Sequence, residues 1–291
     1  MYLFWFLWLA SLGVLMALAL GYAATVPMMR RRVPDEPDHP TLHGMSCEDV
    51  TFSSTDEVEL GGWWIPAQQA RGTVIMCPGQ NGSADKDVPQ TKPLHDAGFN
   101  VLLFDFRAHG RSEGRLVTLG VLEQLDLRAA LDYVQQERGA ERAGVMGFSM
   151  GAAVALLVAA EDERIAALVL DGAYPRLAGI LPAWVRLQGL PGPLARGAAW
   201  VVMLIGSLRA RYQLYHANPL DLAEGIKAPA LFIHGEDDPF VTWDELESLV
   251  ERIPGPTDVW RVRHGMHRSA FRDHAEDYNH RVVAWFTEHV G

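Results

Sequence analysis

Ser149 stands between two glycines, in Gly147-Phe148-Ser149-Met150-Gly151, directly after the apolar run Ala143 to Met146. A serine hydroxyl is a weak nucleophile until an imidazole takes its proton, and that imidazole needs a carboxylate to fix its tautomer and stabilise its charge. The spacing predicts a nucleophile elbow: a strand turning sharply into a helix, with a strained serine at the apex that only very small neighbours accommodate. The run Met150 to Ala160, rich in alanine, leucine and valine, predicts the helix. Its first-turn N–H groups would point back at the serine, where they could hold a developing oxyanion. A loop at Cys77-Pro78-Gly79-Gln80-Asn81-Gly82 follows the β-rich run Thr73 to Met76 and offers further backbone N–H groups. For the carboxylate, apolar strands at Ile165 to Leu170 and Ala230 to Ile233 lead to Asp171 and to Asp237-Asp238, and the acid could emerge after either one.

These residues need a scaffold, and the rest of the pattern supplies one. Glu48 to Phe52 and Glu59 to Ile65, separated by Ser53-Ser54-Thr55-Asp56, predict an opening antiparallel hairpin. Asn100 to Phe104 predicts a buried strand ending in the polar loop Asp105 to Gly114. That loop is read as structural, with Asp105 and Arg107 available for mutual or backbone hydrogen bonds and His109 given no catalytic part. Gly120 to Glu137 has helical spacing of Val121, Leu125, Leu127, Leu131 and Val134. Strands alternating with helices predict parallel pairing in an α/β fold.

Composition sets bounds on this domain. Of 291 residues 49% are hydrophobic, enough for one sizeable catalytic domain plus an appendage. The formal net charge of -11 argues against a nucleic-acid partner, which needs concentrated positive charge. Two cysteines, Cys47 and Cys77, imply no disulfide framework and suit a reducing compartment. No Cys-x-x-Cys, His-Glu-x-x-His or calcium-loop pattern supports a metal.

The appendage is at the start. Tyr2 to Met29 carries no charged side chain and is long enough to cross a bilayer, and Arg30, Arg31 and Arg32 close it. A secreted signal peptide carries its basic residues before the apolar core, so an uncleaved anchor over residues 1–29 is favoured. The arginines then keep the following domain on the cytoplasmic face of a single-pass membrane protein. Trp5, Trp8 and Tyr22 suit interfacial positions. Residues 30–46 read as a basic, proline-rich linker, and 47–291 as the folded domain.

Four motifs in order carry a resemblance to the α/β-hydrolase family, particularly its monoglyceride-lipase-like and serine-aminopeptidase-like members. They are Pro78-Gly79-Gln80, the Asp105 to Gly114 loop, the Gly147 to Gly151 elbow, and His234-Gly235-Glu236-Asp237-Asp238-Pro239-Phe240-Val241. The match runs from about Glu48 to the C-terminus, with two departures: Pro78-Gly79 where His-Gly is frequent, and Ala108 where glycine is common. The resemblance implies a mostly parallel sheet with helices on both faces. It implies a triad in the order nucleophile, acid, histidine, which selects Ser149, Asp238 and His267, with Asp171 and His264 as second choices. His267 lies in Arg263-His264-Gly265-Met266-His267, ahead of an amphipathic stretch from Tyr278 to His289. The family's two oxyanion donors map to the backbone N–H groups of Gln80 and Met150.

Tyr174 to His216 interrupts the alternation with Pro182, Pro191 and Pro193 and predicts a lid, within which Ala198 to Leu208 is an uncharged helical stretch. If that helix meets lipid, Arg196, Arg209 and Arg211 would snorkel toward head groups. The expected activity is that of a serine hydrolase cleaving carboxylic esters, thioesters and lipids among them, through an acyl-serine intermediate and with no cofactor. The rivals are a peptidase or amidase of the same fold and a non-catalytic interaction protein, and a complete set of triad candidates disfavours the second.

Overall fold

A computed structural model describes residues 1–34 and 38–291. The linker read at 30–46 therefore falls partly outside the described residues. Helix α1 (Tyr2–Met29) opens the chain, and a 3₁₀ turn at Pro40–His43 leads into the sheet.

β1 (Glu48–Ser53) and β2 (Glu59–Ile65) form the expected hairpin, with Glu48 opposite Trp64 and Ser53 opposite Glu59. Then come β3 (Gly72–Cys77), α2 (Val88–Asp96), β4 (Phe99–Phe104), α3 (Glu123–Gln136), β5 (Ala143–Phe148), α4 (Met150–Ala159) and β6 (Ile165–Asp171). The lid consists of α5 (Leu177–Leu187) and α6 (Gly192–Ala210), the latter extending the stretch anticipated at Ala198 to Leu208 by a turn or more at its N-terminal end. The short α7 (Pro219–Leu222) returns the chain to β7 (Ala230–Gly235), followed by α8 (Trp243–Val250), β8 (Thr257–Val262), α9 (Ala270–Asp273) and α10 (Ala275–His289).

Among the described residues eight strands run in the order β1-β2-β4-β3-β5-β6-β7-β8. Only β1·β2 and β2·β4 are antiparallel, and the sheet is parallel from β4 to β8. Because the central strands are covered on both faces, they read as unbroken apolar runs. Val145, Leu168 and Leu170 belong to the core shared with α3, α4 and the lid. Met146, Phe148 and Val169 face the opposite core, with Tyr278, Val282 and Phe286 of α10. Every residue of α4 is buried, as expected for a helix apolar all round. The order reverses at β3, whose neighbours are β4 on one side and β5 on the other, and such a switch point leaves a crevice at the carboxyl ends of the strands.

The Asp105 to Gly114 loop is structural, but Asp105 and Arg107 do not pair with each other. Asp105 accepts from the Ala84 and Arg111 N–H groups at 2.7 and 2.9 Å. Arg107 donates instead to Asp126 at 2.6 Å and to Asp56 at 2.7 Å. The left-handed turn at Ala108 (φ 57°) and Gly110 (φ 38°) folds the loop back over the Asp105 carboxylate while Arg107 reaches away to α3. Ala108 thus holds without glycine a conformation that glycine reaches freely.

Candidate active site

Four loops converge at the carboxyl ends of β3, β5, β7 and β8. Ser149, between β5 and α4, has φ 50° and ψ -107°, a strained conformation for a residue with a side chain. Its N–H donates to the Asp171 carbonyl at 2.8 Å, tying the apex to the end of β6. The flanking glycines are obligatory. A Cβ on Gly147 would lie 2.6 Å from the backbone of Ala152, and one on Gly151 would collide with the Cys77 carbonyl.

The loops that carry Asp238 and His267 are held to each other by main chain. Asp237 N–H donates to the Gly265 carbonyl at 2.9 Å and Glu236 N–H to the Val262 carbonyl at 3.0 Å. Gly235 makes the approach feasible, since any Cβ there would strike the Gly265 backbone. The result places Asp238 Oδ2 2.7 Å from His267 Nδ1, and His267 Nε2 2.9 Å from Ser149 Oγ. The other carboxylate oxygen of Asp238 accepts from Phe240 N–H at 2.8 Å and Val241 N–H at 3.3 Å. Burial pushes the Asp238 carboxyl up, but the His267 hydrogen bond and charge, with the Phe240 N–H, outweigh it and hold it below the usual carboxylate range. Asp238 is almost wholly enclosed, at 1% side-chain exposure, while His267 retains 20% and faces the cavity.

The second-choice residues lie elsewhere. Asp171 accepts from the Tyr278 hydroxyl at 3.0 Å, and burial raises its pKa. His264 and Asp237 sit in solvent, 3.7 Å apart. His109 is buried with Nδ1 2.8 Å from the Arg107 carbonyl and Nε2 3.1 Å from the Gln80 carbonyl.

Gln80 and Met150 both line the cavity beside Ser149. The Met150 N–H is one of the first-turn donors that an α-helix cannot satisfy internally. The Gln80 loop is fixed from an unexpected direction. Its side-chain Nε2 donates to the Met28 carbonyl at 2.6 Å, and its carbonyl accepts from Arg32 Nε at 3.1 Å, both partners belonging to the end of α1 and the segment after it. Arg32 N–H also donates to the Ala108 carbonyl, and Arg31 reaches the carbonyls of Gly110 and Gly114. The arginine cluster therefore buttresses the two loops next to the site.

One further group lacked any sequence signal. Arg268, next to His267 and also at positive φ (56°), donates to Asp87 at 2.8 Å and lies 4.3 Å over the Phe148 ring, under the Gly79 turn. Burial pushes the Asp87 carboxyl up, with the Arg268 charge opposing it. Nothing periodic or motif-like links residues 87, 171, 268 and 278; only the fold assembles them.

The cavity over Ser149 has a volume of about 800 Å³. Leu177, Ile180, Leu181 and Trp184 of α5 form its apolar roof, with Leu119, Tyr174 and Phe240 beside them. Pro27 and Met28 of α1 supply part of the wall. Among the described residues no cluster of metal-ligating side chains occurs.

This combination of a switch-point crevice, an elbow serine and a lid defines a hydrolase-type α/β architecture, and comparison with known proteins agrees. The family model described as alpha/beta hydrolase fold matches residues 72–225, and the chain belongs to that family. It is similar to the uncharacterized protein YqkD of Bacillus subtilis, with 29% identity over 231 residues, 77% of this chain and 74% of that one. An uncharacterized Mycobacterium tuberculosis protein shares 31% over 212 residues, 72% of this chain and 68% of its own length. Among solved structures, a Pyrococcus furiosus esterase superposes with a TM-score of 0.74 at 27% identity, covering 90% of this chain and 99% of the esterase.

Proposed function

We propose that the protein is a membrane-anchored serine hydrolase of carboxylic esters, acting through an acyl-Ser149 intermediate. The observation that carries the reading is the continuous chain Asp238 Oδ2, His267, Ser149 Oγ at 2.7 and 2.9 Å, ending on a serine in a strained elbow above an open cavity. The fold and the esterase neighbour support hydrolase chemistry of this class.

With His267 protonated on Nδ1 and donating to Asp238, its Nε2 is the acceptor for the Ser149 hydroxyl proton. As Oγ bonds to the ester carbonyl carbon, that proton moves to Nε2. The negative charge on the carbonyl oxygen is met by the Met150 and Gln80 N–H groups. The ester C–O bond then breaks and Nε2 returns the proton to the leaving alkoxide. Water, deprotonated by the same nitrogen, attacks the acyl carbon; the C–Oγ bond breaks, Nε2 returns the proton to Ser149 Oγ, and the acid leaves.

The membrane assignment rests on α1. It is apolar and long enough to span. Its last turns are integral to the domain: Met29 is fully buried and its carbonyl accepts from Val117 N–H at 3.0 Å. Cleavage as a signal would strip that packing, so an intact anchor with the domain on the cytoplasmic face fits best.

Labelling with a fluorophosphonate probe tests the chemistry. Wild-type protein in membranes should label and Ser149→Ala should not. Equal labelling of both, or of neither, overturns Ser149 as the nucleophile.

A further inference from the structure

The esterase reading leaves open which esters reach Ser149, and the way α1 meets the lid bears on it. The buried residues of α1 are Gly21, Thr25, Met28 and Met29, all within its last nine positions. The preceding stretch from Tyr2 to Leu20 projects free of the domain. At 1.5 Å per residue it measures about 28 Å, close to the roughly 30 Å hydrocarbon core of a bilayer. The edge of the hydrocarbon therefore falls where α1 packs on lid helix α6.

That packing is close. A Cβ on Gly21 would lie 2.6 Å from Val201 Cγ1 and 2.8 Å from Ile205 Cδ1, so only glycine lets the helices approach this far. Arg209 of α6 donates to Thr25 Oγ1 at 2.7 Å and stands 5.0 Å over the Tyr22 ring. On α6, Trp200, Leu204 and Leu208 recur every four residues and are 60%, 38% and 70% exposed, a stripe of large apolar side chains beside the span. Leu187, Leu190 and Leu194 continue it around the α5–α6 turn. The end of α1 is at the same time a wall of the Ser149 cavity, through Pro27 and Met28, and the underside of the lid is its roof. Apolar surface is thus present on the span, on the outward stripe of α6, and on the wall and roof of the cavity. The cavity's 800 Å³ lies in the upper part of the range for small-molecule sites, about 300–1,000 Å³.

We propose that α6 lies in the interface of the leaflet beside α1, and that the substrates are long-chain acyl esters resident in that leaflet, which move from it into the cavity along the wall shared by α1 and the lid. This rests on the esterase reading and specifies its substrate class. A lipid leaflet, rather than a protein partner, is the occupant of the stripe because the stripe is continuous with the span and sits at its hydrocarbon edge.

The test compares the full-length protein with Trp200→Glu/Leu208→Glu, both reconstituted in phosphatidylcholine vesicles. Each is assayed on a fluorogenic palmitoyl ester embedded in the vesicles and on the water-soluble acetyl ester of the same fluorophore. Neither substituted residue lines the cavity. The expected result is a loss on the order of tenfold or more on the embedded palmitoyl ester, acetyl ester turnover unchanged, and recovery with Trp200→Phe/Leu208→Ile. Wild-type rates on both esters in the Glu variant overturn the proposal, as does an equal loss on both. A change of oligomeric mass in detergent with unaltered palmitoyl turnover also overturns it and assigns the stripe to a second copy. Failure of the wild type on both esters is a separate outcome that sinks the esterase reading, and this inference with it.

Discussion

Asp171 ends β6 and Asp238 lies in the loop after the neighbouring β7; they carry the same functional group and differ in what the fold lets them touch. Asp238 meets His267 and two backbone N–H groups, whereas Asp171 is sealed against Tyr278. The consequence for pH follows from the direction of the Asp238 shift. A carboxyl held below its unfolded value, ordinarily about 3.9, contributes stability that is present above that pH and is lost as pH falls through the lower folded value. Asp238 is therefore ionised throughout neutral and mildly acidic conditions, and it contributes no limb to the rate profile there. We expect a carbon-13 NMR titration to find the Asp238 carboxyl ionised from neutral pH down past the ordinary carboxylate value of about 3.9. Protonation of that carboxyl at or above this value would overturn the pairing of Asp238 with His267. In Asp238→Asn the amide presents the wrong hydrogen-bonding partner to Nδ1–H, so kcat should fall by on the order of 10⁴. Asp171→Asn, which leaves the His267 contacts intact, should retain turnover within about tenfold; a steady-state assay on a short ester distinguishes the two.

At the scale of elements, what could be seen in the sequence was what is local. The elbow is written in five consecutive residues because its strain and its clearances are both local, so Gly147 and Gly151 announce Ser149 directly. Strand–helix alternation likewise reads out the parallel sheet. The acid could be narrowed only by resemblance, since β6 and β7 both lead to a carboxylate and the side of the sheet from which His267 approaches is a tertiary matter. The Asp105 to Gly114 loop shows the limit from the other direction. Its polarity marks it as structural, yet the partners of Arg107 lie 51 residues before and 19 after it in sequence, on the β1–β2 turn and on α3. That pair has energetic weight. Asp126 is fully buried, and removing its guanidinium partner leaves the carboxylate only the residue-107 backbone N–H at 2.9 Å, a loss on the order of 3 kcal/mol. Arg107→Ala should thus lower the urea midpoint substantially, while Lys92→Ala, which breaks only the solvent-exposed pair with Asp96, should cost much less. Equal midpoints would show that the Arg107 network carries no such weight.

Over the whole molecule, the apolar N-terminal helix is more than a tether. Its composition marks a helix long and apolar enough to span, and nothing in composition reveals that its last turns are domain structure, because Gly21, Thr25, Met28 and Met29 differ little in kind from the exposed apolar residues before them. Yet those turns and the arginine after them hold the loop of the proposed oxyanion donor Gln80, through Met28 to the Gln80 side chain and Arg32 to the Gln80 carbonyl. The helix therefore divides into two functional parts, and truncation should separate them. A chain beginning at Gly21 loses the free stretch alone; it should leave the membrane on alkaline extraction yet turn over a soluble acetyl ester at the rate of the full-length protein. A chain beginning at Val33 also loses Met28 and Arg32. With the proposed donor no longer held in place, kcat on the same ester should drop by on the order of 10²–10³, since oxyanion contacts strengthen in the transition state. Circular dichroism melting decides whether the assay temperature lies below the unfolding transition of the shorter chain. If both truncated chains matched the full-length kcat under those conditions, the end of α1 would be packing alone, and the Gln80 loop would be held by His109 and its own turn.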